Sequence, residues 1–573
     1  MTTTHQIVAA LSLKEQLAEM LMLDIRYFGT DATCNSLPFT QMTPVIEQFL
    51  KDYPLGGIAL FRENFVNVEQ TVSLTNALQQ HAKFGRLLGI DQEGGVVTRL
   101  KFATNLAGNM ALGAINQPAI TTEAAQIIAC ELSALGINLN FAPVIDVNVN
   151  LLNPIIGVRA FASSAKLVGE HGRAYIAGLH AEHVISCAKH FPGHGDTISD
   201  THLGTSYVKH SLTEMQQIDL KPFAEIIQTG VDTIMTAHVV APALDNGKLF
   251  STLQNAEIDT PATLSKIILT DFLRQQLGFK GVILTDAMDM HAISSNFSAV
   301  QASLLAIQAG VDMLVMPIRI WDDAGIAKFK LYFDELYNHL LNNAELQALV
   351  SAACSRIISL KINKVKPQLE ILNASSVAQQ QLQAKNIVNC QQHQQRELEI
   401  AKQAITLQAN RAANIPFKLH NSSQLLIISD KPALLELSQQ IIQTQNPQLK
   451  HIKCLLIDYT QELCPTTKQA IALADQVMVL SYNLKAQHAP INQLFSSLNS
   501  QQRPYALICC RNPYDVLIAT ESSTNILIYG ASGFDQTNYA QQHFSLNLAA
   551  ALEKILAGET PEQFNQHCPV ELN

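Results

Sequence analysis

Between Lys189 and Ser206 the chain reads KHFPGHGDTISDTHLGTS, gathering three histidines, two aspartates and one lysine on a segment broken by Pro192, Gly193 and Gly195. Such a segment is too rich in glycine for a helix and too polar for a core. Asp200 and His202 stand two residues apart, so a turn or extended backbone can bring the carboxylate against the imidazole. A neighbouring carboxylate favours the imidazolium and lifts a reference pKa of about 6.5 towards neutrality or above. A histidine tuned in this way gives a proton to a leaving group and takes one back from water. Asp286, in GVILTDAMDM, is the second centre of interest. Held ionised by Lys189, Arg99 and Arg159, it would carry the charge a nucleophile needs. Together these are the parts for double-displacement acyl or glycosyl transfer.

The same residues have quieter roles open to them. Asp286 suits the cap of the helix that follows its strand. His190, His194, His202 and Asp200 are suitable metal donors, although no H-x-H or H-E-x-x-H spacing joins them. His194 and Asp196 suit pinning their loop to the backbone, and His238 suits a satisfied buried histidine beside a pocket wall. Arg99 and Arg159 could organise Asp91 and Asp146 as readily as touch a ligand.

The elements that must bring such distant groups together are short apolar runs rich in Ile, Val and Leu. MLMLDI begins at Met20, GGIALF at Gly56, LLGID at Leu87 and LNFAPV at Leu139; VISCAKH begins at Val184, TIMTAH at Thr233, GVILTD at Gly281 and DMLVMP at Asp312. Each is followed by a segment of helical period. Eight strand-helix units are the number that closes a (β/α)8 barrel, and parallel strands covered on both faces are apolar throughout. Asp91, Lys189, His190, His238 and Asp286 all fall at the carboxyl ends of these runs. In a barrel those ends share one rim, and the loops of that rim build the active site.

From about Lys361 to Gln408 the chain turns Gln-rich and helical in pattern, without a strand signal. A second βα series follows: QLLIISD from Gln424, CLLIDY from Cys454, QVMVLSY from Gln476, YALICC from Tyr505 and NILIYG from Asn525. It reads as a smaller open parallel sheet with helices on both faces, and it lacks a glycine-rich phosphate fingerprint. The expected division is a TIM-barrel catalytic domain over 1–360, a helical linker over 361–410 and an α/β/α sandwich over 411–573.

Composition narrows the partners. The 573 residues are 47% hydrophobic and 15% charged, with a formal net charge of -10, which fits a compact α/β protein. No cluster of Lys and Arg interleaves with aromatics, so nucleic acid has no footing as a partner. No apolar run of about 18 residues marks a membrane span, and the N-terminus lacks a basic region followed by an apolar one. Ten scattered cysteines without a CxxC read as reduced, buried thiols. A cytoplasmic protein acting on a small molecule is the expectation.

KHFPGHGDTISDTH resembles the signature of bacterial family 3 glycoside hydrolases of the β-N-acetylglucosaminidase type, a K-H-F-P-G-H-G-D segment followed by a D-[ST]-H dyad. GIDQEGGVVTRL, NFAPVIDVNVN with IIGVRAF, MTAHV and GFKGVILTDAMDM are similar to that family's other motifs, in its order. RNPYDVLIA and the later YGA are similar to the additional C-terminal domain of some members. The resemblance implies a retaining exo-hydrolase of terminal β-linked N-acetylglucosamine, working without a cofactor or metal. It implies Asp286 as nucleophile, His202 as acid/base and Asp200 as the carboxylate that orients it. Asp91, Arg99, Arg159, Lys189 and His190 fall on sugar-binding positions. Muropeptide fragments of cell-wall recycling are the implied substrates. Where many relatives have S-D-D-x-x-M this chain has T-D-A-M-D-M, which leaves Asp286 as the better nucleophile and Asp289 as solvent-facing or capping. A phosphorylase, a metal-dependent barrel hydrolase and a non-catalytic sugar-binding protein stay open, and the oligomeric state is not legible.

Overall fold

A computed structural model describes residues 4–31, 33–197, 205–411, 413–458, 462–484, 489–501, 505–518, 523–530 and 546–572. Eight parallel strands, paired in chain order, form the first sheet: β1 (Leu21–Asp24), β2 (Gly57–Leu60), β3 (Leu87–Ile90), β4 (Leu139–Asn140), β5 (Ile185–Phe191), β6 (Thr233–Thr236), β7 (Val282–Leu284) and β8 (Leu314–Val315). β8 pairs with β1 through Leu21 and Leu314, and a bridge between Leu284 and Met313 joins β7 to β8, closing the barrel. The eight apolar runs therefore become the eight strands. Leu21, Leu23, Leu87, Ile90, Leu139, Ile185, Ile234 and Ile283 are all at most 1% exposed, because helices cover the outer face while the inner face fills itself.

β5 carries an irregularity that matters for the site. Its ladder to β6 matches Lys189 with Met235 but Phe191 with Thr236, so His190 is an extra residue against β6. Consecutive strand residues ordinarily point to opposite faces. A bulge re-aims a side chain, and here it lets Lys189 and His190 serve the same cavity.

The second sheet has six strands in the order β9-β14-β13-β12-β10-β11, where β9 is Thr406–Asn410, β10 Gln424–Ser429, β11 His451–Leu456, β12 Gln476–Ser481, β13 Tyr505–Cys509 and β14 Ser523–Leu527. With the helices around it this makes an α/β/α sandwich. The sheet is mixed rather than all parallel, because β9 runs antiparallel to β14 at the edge. β9 lies in the stretch read as helical and strandless, and β11 begins three residues before CLLIDY. Both are edge strands, and their polar residues dilute the apolar signal. All ten cysteines are free thiols, but only Cys187, Cys354, Cys509 and Cys510 are buried; Cys34 and Cys464 are exposed and the other four are partly so. No helix among the described residues is long and apolar enough to cross a membrane.

Helix Gln391–Ala404 docks on the barrel helix Pro118–Ala134 through Glu131. That carboxylate accepts the backbone N–H of Thr104 at 2.9 Å and of Asn389 at 2.9 Å, and pairs with His393 Nδ1 at 2.7 Å. Burial, with the Glu131 charge beside it, pushes Glu397 up from 4.5 to about 8, against a lowering bond from the Asn105 backbone. A carboxyl whose folded pKa is raised costs stability as pH climbs from the unfolded to the folded value, by up to about 1.4 kcal/mol per pH unit. Glu397→Gln stays neutral throughout, so its stability advantage over the wild type should widen between about pH 5 and about pH 8. Urea unfolding of both proteins across that window checks this; a constant gap would show that Glu397 titrates normally.

Candidate active site

Six of the eight candidate residues, Asp91, Arg99, Arg159, Lys189, His190 and Asp286, line one cavity of about 190 Å³ at the carboxyl ends of the barrel strands. The other two, Asp200 and His202, lie outside the described residues. The chain is described up to Thr197 and again from Thr205, where Ser206–Tyr207 pairs in parallel with Val239–Val240.

The cavity's charges form an interlocked set supplied by the end of β5 and the loops after β3 and β4. Lys189 Nζ lies 2.7 Å from Asp91 Oδ1 and 2.7 Å from Glu93 Oε1, and only 2% of its side chain is exposed. Arg99 Nη2 donates to Asp91 Oδ2 at 3.0 Å. Arg159 grips Glu93 with two parallel bonds, Nε to Oε2 at 2.9 Å and Nη2 to Oε1 at 2.8 Å, the fork geometry that suits guanidinium to carboxylate. Burial works to raise both carboxyls, but Lys189 and Arg99 hold Asp91 well below the usual range, and Arg159 with Lys189 holds Glu93 down to about 2. Burial also works to discharge Lys189, and the two carboxylates outweigh it, so the ammonium is kept.

Behind this set, Asp146 organises the two histidines that open β5's loop. Its Oδ2 pairs with His190 Nδ1 at 2.8 Å, and its Oδ1 accepts the backbone N–H of His190 at 3.2 Å and of His194 at 2.7 Å. The other ring nitrogen of His190 is thereby directed away from Asp146. His194 bonds Thr197 Oγ1 at 2.7 Å, and burial pushes its pKa down to about 4 against the pull of Asp146, so it is neutral at pH 7. His194 also lines the cavity, beyond the loop-pinning role read for it. Asp196 does pin its loop: Oδ2 accepts the Lys209 backbone N–H at 3.0 Å.

Asp286 follows β7 by two residues and is only partly open to the cavity. Its Oδ1 accepts the Ala287 backbone N–H at 2.7 Å. Burial would raise its pKa, yet His238, His190, that N–H and Lys189 together bring it below the ordinary 3.8. A carboxylate kept charged in a half-desolvated pocket is a competent nucleophile. His238 is a buried, satisfied histidine, with Nδ1 2.8 Å from Thr263 Oγ1 and Nε2 2.9 Å from the Ala287 carbonyl. The apolar part of the lining is made by Phe61, Phe141, Met235, Met290, Val315 and Met316, and the Arg99 guanidinium lies 5.6 Å from the Phe61 ring centre.

Two sequence readings need correction. Arg159 organises Glu93, not Asp146; Glu93 went unassigned although it stands in the GIDQEGG motif, one residue beyond Gln92. Asp289 is not solvent-facing: its side chain is 17% exposed and its Oδ2 lies 2.6 Å from Arg319. Lys189 and His190 stand at the carboxyl end of β5, where the run VISCAKH put them. Among the described residues no three His, Cys, Asp or Glu side chains group as a metal-binding set.

The family profile described as "Glycosyl hydrolase family 3 N terminal domain" matches residues 12–360. The chain is 37% identical over 470 residues to a protein of Pseudoalteromonas piscicida named beta-hexosaminidase A, covering 79% of this chain and 76% of that one. In structure it is similar to a glycoside hydrolase family 3 beta-N-acetylglucosaminidase from Paenibacillus sp. str. FPU-7, with a TM-score of 0.76 and 26% identity over 98% of this chain and 99% of the other. A beta-glucoside phosphorylase shares the fold at a TM-score of 0.77 and 20% identity, over 99% and 96% of the two chains.

Proposed function

The chain belongs to glycosyl hydrolase family 3, and from that premise we propose that it is a retaining, exo-acting β-N-acetylhexosaminidase that removes terminal β-linked N-acetylglucosamine. One observation carries this reading: a small cavity at the barrel rim brings an ionised Asp286 together with a buried cluster of cations and carboxylates. A volume below the about 300–1,000 Å³ usual for drug-sized ligands admits one sugar ring rather than a run of them, in keeping with action at a chain end. Lys189, Asp91, Arg99 and Arg159 bind the ring hydroxyls, held in place by Glu93, and His190 presents its free nitrogen to the same ring. The apolar wall takes the less polar face of the sugar.

In the first step Asp286 attacks the anomeric carbon while His202, oriented by Asp200, protonates the departing oxygen. A covalent glycosyl-enzyme forms and the aglycone leaves. In the second step His202 takes a proton from water, which releases the sugar and restores Asp286. The usual retaining pair is two carboxyls about 5–5.5 Å apart, and the imidazole replaces one of them here. No cofactor or metal enters. The D-T-H dyad and the naming of the Pseudoalteromonas relative support this chemistry. Muropeptide fragments met in the cytoplasm, during cell-wall recycling, are the proposed physiological substrate.

The test is to follow cleavage of p-nitrophenyl N-acetyl-β-D-glucosaminide by proton NMR, with and without phosphate. The β-anomer of N-acetylglucosamine should appear first, at a rate indifferent to phosphate. First appearance of the α-anomer would refute a double displacement, and accumulation of sugar 1-phosphate would make the enzyme a phosphorylase.

A further inference from the structure

The second domain touches the barrel at the loops that furnish the sugar pocket. Arg159 stands in the short turn Gly157–Arg159 on the loop after β4. Gly157 has φ +44, and a Cβ there would meet Asn512 Oδ1 at 2.5 Å, so the Asn512 side chain lies flat over the turn. The same Oδ1 accepts the Val158 backbone N–H at 3.1 Å. At the start of that loop, Asn148 Nδ2 donates to Tyr514 Oη at 2.5 Å. Gly530, next to β14, approaches Val96 and Val158, the first of which follows Glu93 by three residues. The loop between these supports also holds the start of the histidine-rich segment: Asn150 Nδ2 donates to the Asp196 carbonyl at 2.9 Å and Asn153 Nδ2 to the His194 carbonyl at 2.8 Å.

From this geometry we propose that Asn512 and Tyr514 are positioning residues of the catalytic pocket, fixing Arg159 by clamping the 148–159 loop from the second domain. The inference rests on the reading of the pocket as a sugar site. Neither residue lines the cavity, so each acts through the loop it holds. The Asn512 Oδ1 bond holds the Val158 backbone, immediately before the residue that forks Glu93. The second domain is then part of the barrel's binding apparatus, although it contributes no atom to the cavity wall described.

Asn512→Leu should lower kcat/KM on the p-nitrophenyl glycoside by about ten-fold or more, chiefly through KM, as loss of a binding contact does. Asn512→Asp keeps an oxygen for Val158 N–H and should recover most of that loss. In an Arg159→Lys background Asn512→Leu should cost about three-fold or less, since coupled residues are not additive. A general structural role would give the same loss in both backgrounds, and that result overturns the proposal. So would wild-type kinetics for Asn512→Leu, or an Asn512→Asp variant as impaired as Asn512→Leu. If Asn512→Leu does not fold, Tyr514→Phe decides: it removes one hydroxyl, and KM should rise about three-fold, whereas an unchanged KM ends the idea. A wild-type protein unable to cleave the glycoside would sink the reading of function and this inference together; an active wild type with indifferent variants would sink the inference alone.

Discussion

Asp286→Asn is expected to lower kcat by about 10⁴-fold or more, the scale seen when a nucleophilic residue is removed from a cooperating set. The amide is nearly isosteric and can still accept the Ala287 N–H, so the local backbone keeps its bond and the thermal midpoint should hold. What is lost is the charge, because a neutral amide neither attacks the anomeric carbon nor balances the cation developing there. Trapping the wild type with a 2-fluoro or 5-fluoro glycosyl donor, followed by peptide mass spectrometry, should place the sugar on the peptide containing Asp286. A label on any other peptide removes Asp286 from the role. The wild-type pH profile carries a second signature. Because the Asp286 pKa is depressed below 3.8, its charge disappears only as pH falls through that lowered value, so the acid limb of kcat/KM should not reach up into the mildly acidic range.

Lys189→Met should remove activity and, unlike the first substitution, unfold the protein more easily. The methionine fills similar space, but Asp91 and Glu93 lose the ammonium 2.7 Å from each. The loss should fall short of the about 3–5 kcal/mol of a fully stranded buried charge, because Arg99 still pairs with Asp91 and Arg159 with Glu93. The sign of the pH dependence follows from the depressed carboxyls. In the wild type their contribution is present above the unfolded carboxyl pKa and is lost as pH falls towards the lowered folded values, about 2 for Glu93. In the variant these carboxyls protonate more readily. The stability gap should therefore be largest at neutral pH and shrink on acidification. Urea unfolding at neutral and mildly acidic pH checks this, and a gap that ignores pH would show that Lys189 acts by packing alone.

The barrel was legible because its strands are buried on both faces, which makes each run apolar from end to end and places the polar residue at its tip. Leu87–Ile90 followed by Asp91 is the pattern at its plainest. The edge of the second sheet gave no such signal. Thr406–Asn410 has two fully buried residues among five and finds its partner, Ser523–Leu527, more than a hundred residues away. The site divides in the same way. Asp91, Lys189 and Asp286 could be picked out because each ends or follows a strand. Glu93 could not, because its importance arises only where Lys189 from β5 and Arg159 from the loop after β4 converge on it. Its place in GIDQEGG, two residues past Asp91 on a turn with positive-φ glycines at 94 and 95, was the one clue. Asp146 was similarly hidden: nothing local shows that one carboxylate serves both His190 and His194.

The interlocked charges around Lys189 also bear on how such an enzyme could acquire a new substrate. Asp91 answers to both Lys189 and Arg99, and Glu93 to both Lys189 and Arg159, so a single replacement disturbs several contacts at once and the first step of a stepwise path would be costly. Met235, Met290 and Met316 of the apolar lining carry no such charge pairing. Variation in sugar preference should accumulate there, and laboratory selection for a different sugar would do well to randomise those positions and leave the ionic set untouched.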